Sequence, residues 1–298
     1  MAGPTTTTSV GDSVPTEFIA EVRLKTQQGS VMRGLVDTHT LPEGEGGVYE
    51  ITELTRAIAY ALTEGVDMTQ AQEITDTSLE VTPGEVGAQI VRTDLADKQV
   101  TRRANLPRLL GETLGNAIIT KEDVDLLAQV DAAATALGSA GTSLTAGYIM
   151  AAAATIRGGG QAAAAIVAGT PEVGPDPINA VFSDNQLHNV IKQFTVETHT
   201  YNESVKELLS SAFVRRIGGA NVYVDNNLGK DASDDAKGGV FSKKALVFVR
   251  FGGGPNMEPE RDASGRWTEM NIVEVYGTGL WKDAWLREML FDAASPTS

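Results

Sequence analysis

Apolar residues recur at steps of three and four positions through the middle of the chain, which is the spacing of one helix face. Pro107 stands where a first helical residue would, and Glu112 lies in the early turns. The pattern predicts one long helix from about Pro107 to Ala134, roughly 40 Å long at 1.5 Å per residue. We call it the spine helix, because its length offers other elements a surface to pack on. Its apolar positions are Leu110, Leu114, Ala117, Ile118, Leu126, Leu127 and Val130.

Capping residues mark the starts of shorter helices. Ser143 can cap a helix over Leu144 to Arg157, which the following glycines end. Ser183-Asp-Asn-Gln186 is a capping box that opens a helix from Asp184 to Phe194. Two more helices are predicted, over Pro15 to Lys25 from apolar spacing and over Ser204 to Ser211 from the box Thr200-Tyr-Asn-Glu203.

Short runs of apolar and β-branched residues predict the strands. They alternate irregularly with the helices and lack the strand–helix–strand rhythm of a parallel sheet, so the predicted fold class is α+β. The candidate strands are Asn179 to Phe182, Asn221 to Val224, Ala245 to Phe251 and Met270 to Tyr276.

The segment from Gly46 to Asp94 is predicted to form two arms that project from the domain. Val48-Tyr-Glu-Ile51 begins as a strand. The next residues, Thr52 to Thr63, fit either a helix ended by Gly65 or an extended chain, and local periodicity alone favours the helix.

The returning arm, Ser78 to Thr93, mixes β-branched with polar residues and contains the break Pro83-Gly84, so we predict a strand with a bulge or kink. Between the arms lies a polar tip from Glu64 to Asp76 with little to bury. An amphipathic arm that is too long for its own domain usually buries its apolar face against another subunit. The segment therefore indicates assembly rather than catalysis.

Composition and charge narrow the function classes. The chain has 298 residues, 42% of them apolar, so it can bury a substantial core. The formal net charge of -15 repels phosphate and disfavours specific nucleic-acid binding; its simplest interpretation is a solvated acidic surface. The lack of cysteine excludes disulfides, thiol catalysis and cysteine-ligated metals. The first residues do not have the pattern of a secretory signal, and no apolar stretch approaches the ~20 residues of a membrane span.

The sequence contains no recognisable catalytic motif. Its three histidines, His39, His188 and His199, lack zinc-protease spacing, and there is neither a nucleophile elbow nor a phosphate-binding loop. We therefore predict no catalytic residue, no cofactor and no metal. Asp225 to Asp231 only loosely resembles a calcium loop and is predicted to be an exposed acidic turn. Carboxylates such as Asp123 and Asp125 are predicted to lie on a solvated helix face.

Eight short sequence segments between residues 15 and 293 are informative through their order along the chain, although no single segment is a sharp motif. The segments are Ala61 to Met68, Val81 to Asp94, Leu109 to Ala117, Asp123 to Ala128, Asn179 to His188, Ile217 to Val224, Gly239 to Leu246 and Val275 to Gly279. Together with the order of arm, extended loop, spine helix and compact domain, they resemble the major capsid protein of tailed bacteriophages.

The resemblance implies the Hong Kong ninety-seven phage-type capsid fold, an α+β fold. It places an N-terminal arm at 1–43, an extended β-loop at 44–94 and a peripheral domain with the spine helix at 95–143. An axial domain follows at 144–265, and a C-terminal strand at 266–298 returns to the peripheral domain. The implied function is a homo-oligomeric shell of pentamers and hexamers around double-stranded DNA, in a virion assembled in the host cytoplasm.

The resemblance also implies partners and an interface. Portal, decoration and scaffolding proteins are expected. Any scaffolding protein needed is expected to be separate, because the residues before the extended loop leave no room for a long scaffolding segment. Crosslinking residues cannot be matched. The extended loop would lie over a neighbouring subunit and bury apolar side chains, or those facing them, at roughly 1.5–3 kcal/mol each before ordering costs. These assembly-interface residues are Val81, Val86, Ile90 and Val91.

Three alternatives remain open at the level of sequence. An encapsulin-like nanocompartment shell protein would share the fold and hold enzyme cargo. A hydrolase with an acidic cleft would be a monomer with a deep pocket. A tail or decoration component would form rings or trimers but no closed shell.

Overall fold

A computed structural model describes residues 29–42, 44, 47–95, 106–158, 172–197, 216–252 and 254–296. The side chains of residues 106–109 and 193–197 are not described. The helices predicted over Pro15 to Lys25 and over Ser204 to Ser211 lie outside the described residues.

Within these ranges there are three α-helices: α1 (Leu106–Asp131), α2 (Ala146–Ile156) and α3 (Asp184–Glu197). The spine helix is α1, and its predicted extent is confirmed to within three residues at either end. Its apolar positions Leu114, Ile118, Leu126 and Val130 are at most 2% exposed. The burial of one helical stripe is what the three- and four-residue spacing predicted.

The starts of α2 and α3 differ in how well the sequence predicted them. The capping box of α3 is confirmed: the Gln186 N–H donates to Ser183 Oγ at 3.3 Å, and the Ser183 N–H donates to Gln186 Oε1 at 3.2 Å. The predicted Ser143 cap of α2 is wrong. Thr145 occupies the N-cap, in extended conformation and without a side-chain cap hydrogen bond. Leu144 is buried ahead of it, so packing rather than capping sets this helix start.

The same ranges contain thirteen strands. They are β1 (Asp37–Leu41), β2 (Tyr49–Leu54), β3 (Asp76–Val81), β4 (Gly84–Thr93), β5 (Ala136–Gly138), β6 (Ile178–Phe182), β7 (Arg216–Ile217), β8 (Ala220–Val224), β9 (Asp235–Ser242), β10 (Leu246–Phe251), β11 (Asn256–Asp262), β12 (Trp267–Leu280) and β13 (Leu286–Asp292). The four strands predicted from the second half of the chain are present as β6, β8, β10 and β12.

The strands form two sheets and a separate hairpin. In the five-stranded sheet, β12 pairs with β4 along one edge and with β10 and β11 along the other, and β1 lies beside β10. The six-stranded sheet has the order β5-β13-β9-β6-β8-β7. The hairpin is β2 paired with β3. The returning arm is two strands of different sheets, because β3 ends at Val81 in the hairpin and β4 begins at Gly84 in the five-stranded sheet. The prediction placed the break correctly at Pro83-Gly84 but as a bulge or kink within one strand.

The spine helix contacts the cores of both sheets. Near its start, Leu114 and Ile118 pack against Met270 and Ile272 of β12 in the five-stranded sheet. Near its end, Leu126, Leu127 and Val130 pack in a cluster that also holds Phe241 of β9 and Phe248 of β10. On the other face of the six-stranded sheet, α2 and α3 cover β6, β8 and β13. The helix therefore ties the two sheets together.

The sheets do not follow the predicted domain boundaries everywhere. The boundary at residue 265 separates β10 and β11 from β12, yet both strands pair with it. The last strand, β13, pairs with β5, which lies within the predicted peripheral domain, and with β9, which lies within the predicted axial domain. Strand partners lie far apart in the chain, so local patterns carried no information on these pairings.

Candidate assembly surface

The root of the extended loop is fixed to the five-stranded sheet by close packing. Val81 at the end of β3 is 4% exposed and lies in a cluster with Leu41, Val247 and Val249. Two glycines of β12 make room for it. A Cβ atom added at Gly279 would lie 2.8 Å from Val81 Cγ2, and one added at Gly277 would lie 3.0 Å from Val81 Cγ1. Any side chain at these positions would push the hairpin off the sheet.

An ion-pair cluster at Lys282 fixes the same root from the side. The Lys282 ammonium bonds both Glu53 of β2 and Glu172, the latter at 3.1 Å. Burial opposes its charge, but the hydrogen bonds to the two carboxylates raise the pKa of Lys282 above its ordinary value. The hairpin is thus held in one direction relative to the sheet.

Beyond the hairpin, residues 55–75 form a projecting segment without regular secondary structure. The helix favoured for Thr52 to Thr63 is wrong: Thr52 to Leu54 continue β2, and the rest is irregular. Hydrogen bonds nevertheless join its two sides. The Thr55 N–H donates to the Thr75 carbonyl at 2.8 Å. The Gln72 side chain accepts from the Ile58 N–H at 2.8 Å and donates to the Ile58 carbonyl at 2.5 Å.

The projecting segment and its base expose large apolar side chains. The tip is exposed as predicted, but it is not polar throughout, and the sequence analysis missed these side chains as interface candidates. One sequence signal could have identified them: a tip that has no core of its own cannot bury an apolar side chain, so any such residue there is exposed. The exposed fractions are 69% for Leu54, 47% for Tyr60, 65% for Leu62, 65% for Val66, 71% for Met68 and 61% for Ile74.

The four predicted interface residues lie elsewhere and mostly face inward. Val81 is buried at the root, as described above. Val86 and Ile90 are partly buried on the face of β4 that packs against α1 and β12. Val91 points to the opposite face and is 50% exposed. Within one chain, only Val91 of the four offers a largely exposed side chain, and its contact with a second subunit stays a prediction.

Two carboxylates predicted to be solvated are structural. Asp123 is buried, and its Oδ1 accepts from Ser30 Oγ at 3.0 Å and from the N–H groups of Val31 and Met32 at 3.0 and 2.9 Å. It thereby caps the 3-10 turn Met32–Gly34 from ninety residues away. Asp125 accepts from the Tyr276 hydroxyl at 2.8 Å, and it also pairs with Lys121.

Asp225 corrects the prediction of an exposed acidic turn, because it is fully buried beside Asp123. One of its oxygens accepts from the Asn227 N–H at 2.9 Å, and the other has no hydrogen-bond partner. The Asn227 amide in turn donates to Asp123 at 2.9 Å. Burial, followed by the neighbouring Asp123 carboxylate, raises the pKa of Asp225 to about 7.

Of the three histidines, the structure describes two, one on β1 and one on α3. His39 stacks on Tyr49 at 4.7 Å between ring centroids, and His188 lies within α3. His199 lies outside the described residues. Across the part of the chain that the structure describes, no three His, Asp or Glu side chains converge as metal ligands would. None of the helices in those ranges combines the length and apolar character that a membrane crossing requires.

No protein-family model and no curated protein matches the sequence. Solved structures do match it over nearly its full length. The head structure of Helicobacter pylori bacteriophage KHP40 has a TM-score of 0.74 at 10% identity, with 99% of both chains covered. The capsid of cyanophage P-SCSP1u has a TM-score of 0.68 at 14% identity and covers 96% of this chain and 95% of its own.

The capsid of Ralstonia phage GP4 gives a TM-score of 0.69 at 13% identity, with 95% of this chain and 97% of that chain covered. At such low identities the likeness concerns the fold. The matches span nearly the whole chain, so they include the spine helix, both sheets and the projecting segment. The chain therefore has the Hong Kong ninety-seven phage-type capsid fold.

Proposed function

We propose that this chain is the major capsid protein of a tailed bacteriophage. It assembles as pentamers and hexamers into an icosahedral shell that encloses double-stranded DNA. The end-to-end likeness to phage capsid chains supports this proposal, since the match to the KHP40 head structure covers 99% of both chains. The matched structures reported above are phage capsids and heads, so the encapsulin-like alternative is not favoured.

The projecting segment carries the proposal. Leu62, Val66 and Met68 stand clear of their own domain, and exposed apolar clusters of this kind mark protein–protein contacts. Burying each such side chain against another subunit contributes roughly 1.5–3 kcal/mol before ordering costs. The two-point fixation of the hairpin, at Val81 and at Lys282, lowers those ordering costs because the segment already points in one direction.

The segment and the surface that receives it differ, so the contact is heterologous. Heterologous contacts close into rings when the rotation between copies allows it. Rings of five and six copies are then the natural capsomers of a closed shell. Val91, exposed on β4, is an additional candidate for the receiving or contacting surface.

The acidic charge of -15 suits a container for DNA. A wall that bound phosphate tightly would hinder both the entry and the exit of the genome. The shell therefore encloses DNA without sequence-specific contacts. A tight complex of the isolated protein with DNA at moderate salt would contradict this part of the proposal.

The remaining predictions concern the partners and the location of the protein. Portal, scaffolding and decoration proteins are expected partners, and the finished protein belongs to the virion after assembly in the host cytoplasm. A structural role without enzymatic activity is the expectation that follows.

Electron microscopy of the purified protein after size-exclusion chromatography tests the proposal. Closed shells or capsomer rings, alone or with a scaffolding partner, are the expected result. A monomer under every condition would overturn the proposal, and an enzyme cargo that co-purifies inside the shells would favour the nanocompartment instead.

A further inference from the structure

A glutamate interrupts an apolar row on β12. Alternate residues of a strand face the same side, and on this strand the buried positions are Met270, Ile272, Glu274 and Tyr276. Met270 and Ile272 pack against the spine helix. Glu274 lies in the same row and is 1% exposed. A charge at such a position costs free energy unless it is paired or neutralised.

The facing residue is a second buried glutamate. Glu122 of the spine helix is also 1% exposed, and it approaches Glu274 closely enough for one carboxyl to hydrogen-bond the other. As ionised groups, three of their four oxygens have no hydrogen-bond donor: Glu122 Oε1 and both oxygens of Glu274. Two buried carboxylates without donors are unfavourable, whereas a proton between them supplies a donor and removes one charge.

The neighbouring charges only partly compensate the pair. Arg33, on the 3-10 turn, places its Nη1 atom 3.3 Å from Glu122 Oε2. Arg250 of β10 also favours ionisation of Glu122, but no hydrogen bond joins either arginine to Glu274. On the remaining sides, Tyr276 donates to Asp125, and β4 places the apolar Val86 opposite Glu274. Glu274 is thus the group left without a donor.

We propose that Glu122 and Glu274 share one proton, and that this proton latches the spine helix to the five-stranded sheet. Losing it leaves two facing carboxylates on α1 and β12 and loosens the contact between these elements. The inference concerns the folded subunit and does not rest on shell assembly.

The pH dependence follows from the direction of the shift. Burial, followed by the hydrogen bond and charge of Glu274, raises the pKa of Glu122 from 4.5 to about 7. Over that interval the folded chain binds more protons than the unfolded chain, so stability falls as pH rises and becomes constant above the folded value. An ordinary paired carboxylate behaves in the opposite way.

Denaturant unfolding of the full-length, unassembled protein between pH 5 and pH 8 tests the latch. Because Asp225 titrates in the same range, the comparison is made in an Asp225→Asn background. There we expect the unfolding equilibrium constant to rise on the order of a hundredfold across the interval. Glu274→Gln retains the shape, removes one charge and offers an amide N–H donor that favours ionised Glu122, so this rise should become smaller although burial still raises the pKa of Glu122. Glu260→Gln, on the exposed strand β11, is the matched control and should keep the full rise.

Infrared spectroscopy supplies a readout that a purely structural role would not move. The carbonyl stretch of a protonated carboxyl should be present at pH 6 in the Asp225→Asn protein and be weaker in its Glu274→Gln derivative. If Glu274→Gln does not fold, Glu122→Gln serves the same purpose. A pH profile that is unchanged in both variants would overturn the latch. So would restoration of stability at pH 8 by calcium and its reversal by a chelator, because a bound cation rather than a proton would then neutralise the pair.

Discussion

The side-chain amide of Gln72 hydrogen-bonds both the N–H and the carbonyl of Ile58, as a paired strand residue would, although the segment has no strands. The two distances are 2.8 Å from the Ile58 N–H and 2.5 Å to the Ile58 carbonyl. The last regular pair of the hairpin, Leu54 with Asp76, lies several residues closer to the domain. Beyond the Thr55–Thr75 hydrogen bonds at the base of the segment, the Gln72 side chain therefore joins its two sides.

Replacing Gln72 with alanine should loosen the segment without unfolding the domain. Limited proteolysis within residues 55–75 is expected to become faster, because both hydrogen bonds are lost while the core is untouched. The denaturation midpoint should stay within the error of the wild-type value. Gln70→Ala is the matched control, since Gln70 is an exposed glutamine of the same segment. Equal cleavage rates in the two variants would show that the hydrogen bonds between Gln72 and Ile58 do not order the segment.

Leu62→Ser combined with Met68→Ser should abolish or strongly weaken assembly. Both side chains are exposed in the single chain, so removing them costs the folded subunit almost nothing, whereas each buried contact contributes roughly 1.5–3 kcal/mol to association. Sedimentation velocity would show capsomers or shells for the wild type and monomers for the variant. Val173→Ser, which alters an exposed apolar residue outside the segment, should assemble normally. Normal shells from the double variant would remove the main support for the assembly surface.

Gly279→Ala should destabilise the root of the extended loop. The new methyl group would lie 2.8 Å from Val81 Cγ2, and overpacking of this kind typically costs about 1–3 kcal/mol. Thermal denaturation measures the loss. The same substitution in a Val81→Ala background should cost less, because the smaller side chain leaves room for the methyl group. Gly84→Ala, where an added Cβ meets nothing within 4 Å, is the control. Additive effects of Gly279→Ala and Val81→Ala would contradict the contact.

Asp123→Asn should release the segment that precedes β1. The Asp123 carboxylate accepts hydrogen bonds from Ser30, Val31 and Met32, and the neutral amide of asparagine is a weaker acceptor. Buried hydrogen bonds to charged groups contribute about 1.5–3 kcal/mol each. Hydrogen exchange at Val31 and Met32 should accelerate. By contrast, Asp131→Asn on the same helix removes a half-exposed ion pair with Lys237 and should cost less than about 1 kcal/mol. Similar losses in both variants would argue against the capping role of Asp123.

The sequence predicted the elements that are encoded locally. The stripe from Leu114 to Val130 marked the spine helix, and Ser183 with Gln186 marked the start of α3, because both signals depend on residues within a few positions of each other. The break at Pro83-Gly84 likewise separated β3 from β4. The order of these elements was enough to suggest the fold.

Features that depend on distant residues were not predictable. Nothing near Asp123 indicates that Ser30 and Asn227 will bury its carboxylate, so it was assigned to solvent. The helical spacing of Leu54 to Ala61 is real, but no surface within the described part of the chain covers it, and the residues stay extended or irregular. Helix periodicity stabilises a helix mainly through the packing of its apolar face. The sequence prediction placed the interface residues on the returning arm, whereas the structure exposes large apolar side chains on the projecting segment.

The positions of β12 and β13 have a consequence for synthesis in the cell. Both are interior strands made late in the chain: β12 lies between β4 and the pair β10 and β11, while β13 lies between β9 and β5. A nascent chain that lacks residues 267–292 therefore lacks the central strand of the five-stranded sheet and an interior strand of the six-stranded sheet, so both cores are incomplete. The root for the hairpin at Gly277 and Gly279 is missing until the same moment. On the proposed assembly, we therefore expect competence to associate to arrive only after translation of this region.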